Sequence, residues 1–553
     1  MWTPVRSCSR PRSPCSPTTP SSGCTPGSRP RSTESSRRRS NSLPKRALLS
    51  VSNKAGLPAF ARGLVRLGFE LYSTGATRRT LEEASLDVLP VTELTNGFPE
   101  ILGGRVKTLH PGVHAGLLAR RARPEDLRDL EIHHLQLIDL LCVNLYPFAE
   151  TRSRPGASFS EILEQIDVGG VAMARAAAKN HADVIVVVRP ERYIEVLNAL
   201  QEGKVDGELR RRLAAEAFAH TAAYDAQISA WLQADGDESG GQFPPELTLT
   251  GQLARPLRYG ENPHQVAAFY RLGPDPGGLG SAQQVHGPEL SYNNIQDASA
   301  AFELVSEFSR PAAAIIKHTN PCGLALGDDL ATAYRKAYEC DPRSAFGGVV
   351  AVNRILDVPT AEQIVEVKTD VLLAPGLAPD AAEVLERRKS LRVLEVTPVR
   401  TASIQVRSVP GGFLAQTWDR TGFDRRQSQV VSKRQPTAEE WAQLEFAWLT
   451  VKHVRSNAIV LATDFAAVGV GAGQMSRVEA AEIAVRRAGD RARGSVMASD
   501  ALIPFADGAE AVLAAGVTAI IQPGGSVRDA EVVAAVDAAG AAMVSTGERH
   551  FRH

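Results

Sequence analysis

The sequence predicts an α/β protein with more than one domain. Its 553 residues exceed what a single hydrophobic core usually holds. Short apolar runs alternate with stretches of helical periodicity, which is the pattern of parallel strands joined by crossover helices. Polar segments follow many of the apolar runs, and the ends of buried strands are where α/β proteins place their chemistry.

Composition and charge exclude several classes of function. Apolar residues make up 43% of the chain and charged residues 22%, as in an ordinary globular protein. The formal net charge is zero, so no electrostatic argument favours binding to nucleic acid or to an anionic membrane surface. No apolar run approaches the roughly 20 residues that cross a bilayer. The six cysteines make no disulfide framework, so we expect a reducing, cytoplasmic location.

Residues 1–45 differ from the rest of the chain. They are rich in Ser, Pro and Arg, contain one acidic residue, Glu34, and show no periodicity. Such a segment buries too little apolar surface to offset the entropy of ordering it. We therefore expect a disordered tail or a wrongly assigned upstream start.

The first domain is predicted to span residues 46–245 and to hold a doubly wound parallel sheet. Its strands and helices follow in order along the chain, and a polar, turn-rich linker is expected over Ala234 to Pro256. The predicted strands are 47–51, 69–72, 137–143 and 184–188, and the predicted helices are 55–67, one that starts after Thr77, 159–180 and 206–232.

The second domain, residues 246–553, is predicted to contain two lobes, roughly 246–425 and 426–553. The apolar run Ala312 to Ile316 predicts a buried strand that ends at Lys317 and His318, followed by a turn over Asn320 to Gly323. A similar pair, Lys452-His453, precedes another apolar run and suggests an internal duplication. A base beside a fixed cation at a strand end predicts chemistry there, although a surface Lys-His pair would have the same sequence.

Five polar clusters in the first domain follow predicted strands or precede predicted helices. Hydroxyls, free amides and helix dipoles at such points bind anions, although single Ser or Thr residues there are usually plain helix caps. Because parallel strands gather their carboxyl ends at one edge, the clusters together predict a phosphate site. The clusters are Ser52–Lys54, Ser73–Thr77, Gly103–Thr108, Asn144–Tyr146 and Asp167–Gly170.

Longer segments resemble a known family. Gly-Gly-Arg-Val-Lys-Thr-Leu-His-Pro (103–111) and Gln-Ile-Asp-Val-Gly-Gly (165–170) resemble IMP cyclohydrolase domains. Leu-Arg-Tyr-Gly-Glu-Asn-Pro-His-Gln (257–265) and Ile-Lys-His-Thr-Asn-Pro-Cys-Gly (316–323) resemble AICAR transformylase domains. The chain thus resembles the bifunctional purine biosynthesis family over residues 46–553. The resemblance implies a methylglyoxal-synthase-like first domain, a cytidine-deaminase-like second domain and a homodimer.

The family's two reactions are the last steps of IMP synthesis. The amino group of AICAR takes a formyl group from 10-formyltetrahydrofolate, and the product FAICAR closes to IMP with loss of water. For formyl transfer the resemblance implies that His318 is the base and that Lys317 stabilises the oxyanion. It implies AICAR contacts from Arg258, Tyr259, Gly347, Asp370, Asn457, Arg477, Leu502 and Arg549, and folate contacts from Val478, Asp507, Gly525 and Ser526.

For ring closure the resemblance implies that Lys179 transfers protons, Lys107 and Tyr146 polarise the formyl oxygen, and Asp167 orients the carboxamide. It implies nucleotide contacts from Ser52, Lys54, Ser73, Gly75, Thr77, Arg105, Thr108, Asn144, Leu145, Val168 and Gly169.

The sequence departs from the family pattern at three places. Leu502-Ile503 replace a common Phe-Phe pair, and Ala506 rather than a cation precedes Asp507. Ala76 replaces a common glycine, which an alanine can do only at negative φ.

The alternative interpretation is a methylglyoxal-synthase-like lyase or sensor domain fused to a deaminase-like hydrolase. A zinc deaminase needs a Pro-Cys-x-x-Cys segment, whereas Pro321-Cys322 is followed at that spacing by Ala325. We therefore expect no metal.

Overall fold

The structure, a computed structural model, describes residues 44–235, 243–273, 276–399 and 404–553. The chain divides into two compact units between Pro244 and Pro245. Residues 1–43 of the expected tail lie outside the described residues, whereas Lys45 already begins the first strand. The predicted linker is wrong over Gln252 to Pro256, because these residues belong to a strand that pairs with Ala267–Arg271.

The first unit is built on five strands. They are β1 (Lys45–Ser50), β2 (Phe69–Ser73), β3 (Leu89–Pro90), β4 (Leu140–Val143) and β5 (Ile185–Val187). Its helices are α1 (Leu57–Arg66), α2 (Gly75–Glu83), α3 (Pro111–Leu118), α4 (Pro124–Ile132), α5 (Phe148–Ser153), α6 (Phe159–Leu163), α7 (Val168–Lys179), α8 (Tyr193–Gln201) and α9 (Gly207–Asp235).

The five strands pair in the order β3-β2-β1-β4-β5, and every pairing is parallel. The doubly wound parallel sheet predicted for this domain is confirmed. Ala47, Leu48 and Leu49 of β1 are fully buried, as expected for a strand covered on both faces. The single helix predicted over 159–180 is wrong, because Asp167 caps a separate helix: its Oδ1 accepts the N–H of Gly170 at 2.7 Å.

The second unit is built around a sheet of twelve strands, beside which its described residues form two small hairpins. The strands of the whole unit are β6 (Gln252–Leu257), β7 (Ala267–Arg271), β8 (Gln283–His286), β9 (Ala312–Lys317), β10 (Asn320–Leu326), β11 (Gly348–Val352), β12 (Thr369–Ala374), β13 (Arg392–Glu395), β14 (Ile404–Val409), β15 (Gly412–Thr417), β16 (Gln429–Val430), β17 (Ile459–Thr463), β18 (Ala466–Gly471), β19 (Val496–Ser499), β20 (Ala519–Gln522) and β21 (Ala542–Ser545). Its helices are α10 (Tyr292–Val305), α11 (Leu330–Cys340), α12 (Pro342–Ala345), α13 (Val358–Glu366), α14 (Pro379–Leu385), α15 (Ala438–Val451), α16 (Arg477–Ala488), α17 (Ala506–Ala514) and α18 (Asp529–Ala538).

The twelve-stranded sheet repeats one topology twice, in the order β16-β21-β20-β19-β17-β18-β10-β9-β11-β12-β13-β8. In each half an antiparallel hairpin, β9–β10 or β17–β18, precedes three parallel strands and is joined to the first of them by an antiparallel pairing. The halves meet where β10 pairs antiparallel with β18 at Ala325 and Ala466. The remaining strands form two separate hairpins, β6–β7 and β14–β15.

The turn predicted over Asn320 to Gly323 is wrong. These residues belong to β10, whose pairing with β9 shifts register between Pro321 and Gly323, so the strand accommodates a proline. The two turn residues are His318 and Thr319, with φ of 50° and 62°.

The proposed match between Lys317-His318 and Lys452-His453 is also wrong. In the second half of the sheet the equivalent turn residues are Asp464 and Phe465, with φ of 48° and 52°. Lys452 and His453 follow α15 instead and precede β17.

Glycines let a helix lie close to each hairpin. A Cβ on Gly323 would lie 1.9 Å from the carbonyl oxygen of Ala337 in α11, and one on Gly469 would lie 2.2 Å from that of Ala484 in α16. These are the fourth residues after the turn in both hairpins. The two halves of the sheet therefore use the same close packing of helix on strand.

Candidate active sites

The first cluster lies at the carboxyl ends of β1 and β4, where the strand order of the first sheet reverses. Asn144 follows β4, and its Oδ1 accepts the backbone N–H groups of Ser52 at 2.6 Å and Asn53 at 2.9 Å. The Nδ2 of Asn144 donates to the carbonyl of Asn53 at 3.0 Å. Such a switch point is where open parallel sheets bind ligands. Lys54 lies beside it, with Nζ 3.2 Å from the carbonyl oxygen of Ser52.

The neighbouring cluster joins β2 to α2. The hydroxyl of Ser73 donates to the carbonyl of Leu49 at 2.7 Å, and that of Thr77 donates to the carbonyl of Val51 at 2.9 Å. Both hydroxyls therefore brace the loop after β1. Helix α2 begins at Gly75 without a side-chain cap from Thr74, which leaves its first N–H groups facing outward, as in anion sites. Ala76 lies within this helix and is not among the residues with positive φ, so it fits the position.

A third group of side chains surrounds the buried carboxylate of Asp167. Burial raises the pKa of Asp167, although hydrogen bonds from the N–H groups of Gly170 and Tyr146 and the charge of Lys107 act in the opposite direction. Gly169 lies against Thr108, whose Oγ1 would be 2.7 Å from a Cβ at that position. The structure therefore brings Lys107, Thr108, Tyr146, Asp167 and Gly169 together.

The other residues predicted for the cyclohydrolase site differ in their burial and in their distance from the Asp167 group. Leu145 is buried against Phe148, Val168 is 61% exposed, and Arg105 forms a surface ion pair with Glu164 at 2.5 Å. Lys179 is the last residue of α7, whereas Asp167 caps the first turn, so about 18 Å of helix separates them. A single chain does not place Lys179 beside Asp167.

The second unit contains a cavity of about 900 Å³ at the carboxyl ends of β19, β20 and β21. Of the residues predicted for the transformylase site, six line it: Asn457, Arg477, Val478, Leu502, Asp507 and Arg549. Ile503, which replaces the second phenylalanine of the family's pair, also lines it, as do Met475, Phe505 and Phe551, which were not predicted. Gly525 and Ser526 follow the lining residue Gly524, and their N–H groups donate to the carboxylate of Asp529. Phe505 could have been found from its place between Pro504 and the start of a helix, after a buried strand.

Asp500 anchors one wall of this cavity and was also missed. It is fully buried and accepts hydrogen bonds from the guanidinium of Arg477, the hydroxyl of Ser456 and, at 3.1 Å, the N–H of Ala458. Arg477 donates further to the Oδ1 of Asn457 at 2.8 Å. The wall is therefore rigid and presents a buried cation to the cavity.

The remaining predicted residues of the transformylase site lie elsewhere. The Nζ of Lys317 donates to the carbonyls of Phe346 and Gly347, both at 2.9 Å. Gly347, with φ of 68°, lies close to both Lys317 and Asp370. His318 is exposed in its turn. Arg258 packs over the ring of Tyr259, 5.2 Å from its centroid, in the connection after β6.

Lys317 and His318 do not line the cavity of the same chain. Four antiparallel pairings separate β9 from β19, so both strands run in the same direction and end at the same edge of the sheet. At about 4.8 Å per strand, their ends lie roughly 19 Å apart. One edge of the sheet therefore carries two separate groups of residues. The first lines the cavity, and the second, the Lys317 group, consists of Lys317, His318, Gly347 and Asp370.

The described residues contain no helix long and apolar enough to cross a membrane. In the same parts of the chain, no three His, Cys, Asp or Glu side chains come close enough to hold a metal ion. Cys142, Cys322 and Cys340 are free thiols.

Comparison with known proteins identifies the family. The AICARFT/IMPCHase bienzyme model matches residues 177–487, and the MGS-like domain model matches residues 56–172. The bifunctional purine biosynthesis protein PurH of Shouchella clausii is 52% identical over 515 residues, covering 92% of this chain and 100% of that protein. PurH of Chloroflexus aurantiacus is 54% identical over 517 residues, covering 92% and 98%. The crystal structure of ForH aligns with 35% of this chain and all of its own, at 39% identity and a TM-score of 0.33. The chain belongs to the AICARFT/IMPCHase bienzyme family.

Proposed function

We propose that this chain catalyses the last two steps of IMP synthesis, formyl transfer to AICAR and ring closure of FAICAR. The observation that carries this proposal is the similarity to PurH proteins over 92% of the chain, with each unit bearing its own cluster of polar residues at a sheet edge. The comparisons favour this function over a lyase or sensor fused to a hydrolase.

In the second unit we assign AICAR to the 900 Å³ cavity, a volume typical of small-molecule sites. Arg477 and Arg549 offer guanidinium groups to its phosphate or carboxamide. Leu502 gives this ligand an aliphatic wall. Lys317, already held by two backbone carbonyls, keeps one N–H for the oxyanion that forms on the formyl carbon. His318 takes the proton that the amino group loses as it attacks. Arg258, Tyr259, Gly347 and Asp370 would also contact AICAR.

10-Formyltetrahydrofolate supplies the formyl group when it binds. The apolar part of the cavity, with Phe505, Ile503 and Met475, suits a flat heteroaromatic ring. Val478 and Asp507 line the same space, and Gly525 and Ser526 lie at its border. These four residues would hold the folate.

In the first unit we assign ring closure to the Asp167 group. Asp167 accepts from the carboxamide, Lys107 and Tyr146 polarise the formyl oxygen, and the loops at Ser52 and Gly75 hold the phosphate. Ser52, Lys54, Ser73, Thr77, Arg105, Thr108, Asn144, Leu145, Val168 and Gly169 complete the nucleotide contacts.

We further propose a homodimer in which each chain completes the sites of the other. The support is geometric: Lys179 lies about 18 Å from Asp167, and the end of β9, which leads into His318, lies roughly 19 Å from the end of β19, which leads into the cavity. A second copy can supply both residues. The three free thiols support a cytoplasmic location.

The test assays both half-reactions on His318→Ala and Lys179→Ala. We expect His318→Ala to lose formyl transfer and to keep ring closure of supplied FAICAR, and Lys179→Ala to do the reverse. Equal loss of both activities in either variant contradicts separate sites. Mixing His318→Ala with Arg549→Met should restore part of the formyl transfer if subunits share sites, and no recovery contradicts sharing.

A further inference from the structure

Residues 549–552 alternate between the cavity and the protein interior. Arg549 and Phe551 line the cavity, and the guanidinium of Arg549 packs 4.5 Å from the ring centroid of Phe551. His550, between them, is 2% exposed, and the side chain of Arg552 is 26% exposed. This period of two is that of an extended segment, so whatever holds the inward side chains also sets the outward ones.

Arg552 holds the segment through three contacts. Its Nη2 donates to Oε2 of Glu303 at 2.8 Å, and its Nη1 lies 3.2 Å from Nδ1 of His453. Its carbonyl accepts the N–H of Ser456 at 3.0 Å, next to the lining residue Asn457. The carboxyl terminus is therefore bound to the same loop that forms one wall of the cavity.

These contacts define the protonation state of His453. A guanidinium has no acceptor, so Nδ1 of His453 must accept from Arg552 and carries no proton. Its Nε2 then donates to Oε1 of Glu307 at 2.8 Å, which also accepts from Lys452 at 2.9 Å. The groups that face His453 are Arg552, Glu303, Glu307 and Lys452. Two cations and two anions balance around a neutral imidazole.

We propose that Arg552 is a positioning residue for formyl transfer: neutral His453 and Glu303 hold its guanidinium, and this fixes the segment that presents Arg549 and Phe551 to the cavity. The proposal rests on the function assigned to the cavity above. Arg552 itself does not line that cavity.

Protonation of His453 would undo this arrangement. A proton on Nδ1 removes the acceptor for Arg552 and sets two cations 3.2 Å apart. Burial, together with Arg552, lowers the pKa of His453 in spite of Glu307. The contact between Arg552 and His453 is therefore intact at neutral pH. It is lost only when the pH falls below the pKa of an ordinary histidine.

The first experiment compares Arg552→Met with Arg335→Met, a control that removes an exposed arginine paired with Glu339 on α11. We expect Arg552→Met to raise the KM for AICAR about 10-fold or more with kcat within about twofold, since Arg549 acts in binding. Ring closure of FAICAR, carried by the first unit, should stay unchanged. Hydrogen exchange of a C-terminal peptide, without substrate, should speed up about 10-fold in Arg552→Met alone.

The second experiment separates hydrogen bonding from packing at His453. Gln can accept from Arg552 and donate to Glu307 without titrating, whereas Phe can do neither. We expect His453→Gln to keep the wild-type KM at pH 8 and to lose the rise in KM for AICAR that we expect of the wild type at a pH well below the pKa of an ordinary histidine. His453→Phe should behave like Arg552→Met at both pH values.

The outcomes are distinguishable. If the wild type shows no formyl transfer, the proposed function fails. If the wild type is active and Arg552→Met has a wild-type KM, the positioning proposal is overturned, whatever the exchange result. A His453→Gln variant that keeps the wild-type rise in KM overturns the role of neutral His453.

Discussion

Replacing Arg477 by Met should destabilise the second unit strongly, because it leaves a buried charge behind. Arg477 is 8% exposed and Asp500 is fully buried. Without the guanidinium, the Asp500 carboxylate keeps only the hydrogen bonds from Ser456 and Ala458. Removing one partner of a buried ion pair costs about 3 to 5 kcal/mol, because the other charge remains desolvated. At roughly 2 to 4 °C per kcal/mol, the thermal transition should fall by on the order of 10 °C.

The double variant Arg477→Met, Asp500→Asn isolates the charge. An amide at position 500 can accept from Ala458 and donate to Ser456, and it needs no counter-charge. We therefore expect the double variant to recover more than half of the lost stability and to remain inactive in formyl transfer, since Arg477 also lines the cavity. Ring closure of FAICAR should persist in both.

The assay is thermal unfolding of all variants at pH 7.5, with Arg335→Met as an exposed control whose pair is worth about 0.3 to 0.5 kcal/mol. A loss below about 1 kcal/mol in Arg477→Met, or a double variant as unstable as the single one, would refute the reasoning about the uncompensated carboxylate.

Two further predictions concern stability. Asp167→Asn should lower ring closure yet leave the first unit at least as stable at pH 7.5. The folded pKa of Asp167 is raised, so its ionised form weakens the fold as the pH rises through that pKa, while an amide still caps α7; thermal unfolding against pH should show a flatter curve for the variant. Gly323→Ala should destabilise the second unit by about 1 to 3 kcal/mol, because its Cβ would lie 1.9 Å from the carbonyl oxygen of Ala337. Gly412→Ala, whose Cβ would approach no atom closer than Cγ2 of Val409 at 4.0 Å, is the matched control; equal effects in the two would contradict the close approach.

Much of the fold is readable from the sequence because local and long-range signals agree. The apolar stretch Ala47–Leu49 is buried on both faces, and the polar residues that follow it mark the sheet edge. At Asn320 to Gly323 the signals conflict: the residue types favour a turn, but pairing with β9 extends the strand. The turn then falls on His318 and Thr319, and a β-branched residue such as Thr319 rarely adopts positive φ. Strand pairing across the sheet outweighs local preference here.

The sequence indicates which residue types form the candidate sites, but it does not indicate how far apart the fold places them. Asp167 and Lys179 lie in adjacent motifs, yet a helix of 12 residues sends them to opposite ends. Counting turns along that helix would have revealed the separation. Four strand pairings separate β9, which leads into His318, from β19, which leads into the cavity, and no local pattern in the sequence specifies strand order. Long-range pairing therefore hides this separation from the sequence.

The outermost strands of both large sheets are short: β3 and β16 have two residues each, β5 has three and β8 has four. An unpaired edge of this length offers few free backbone groups to a neighbouring molecule, and β3 also ends in Pro90, which has no N–H to donate. Edge-to-edge growth of these two sheets between molecules, the first step towards fibrils, is thus discouraged at their margins. A chain with twelve strands in one sheet can accumulate in a crowded cell without polymerising through them.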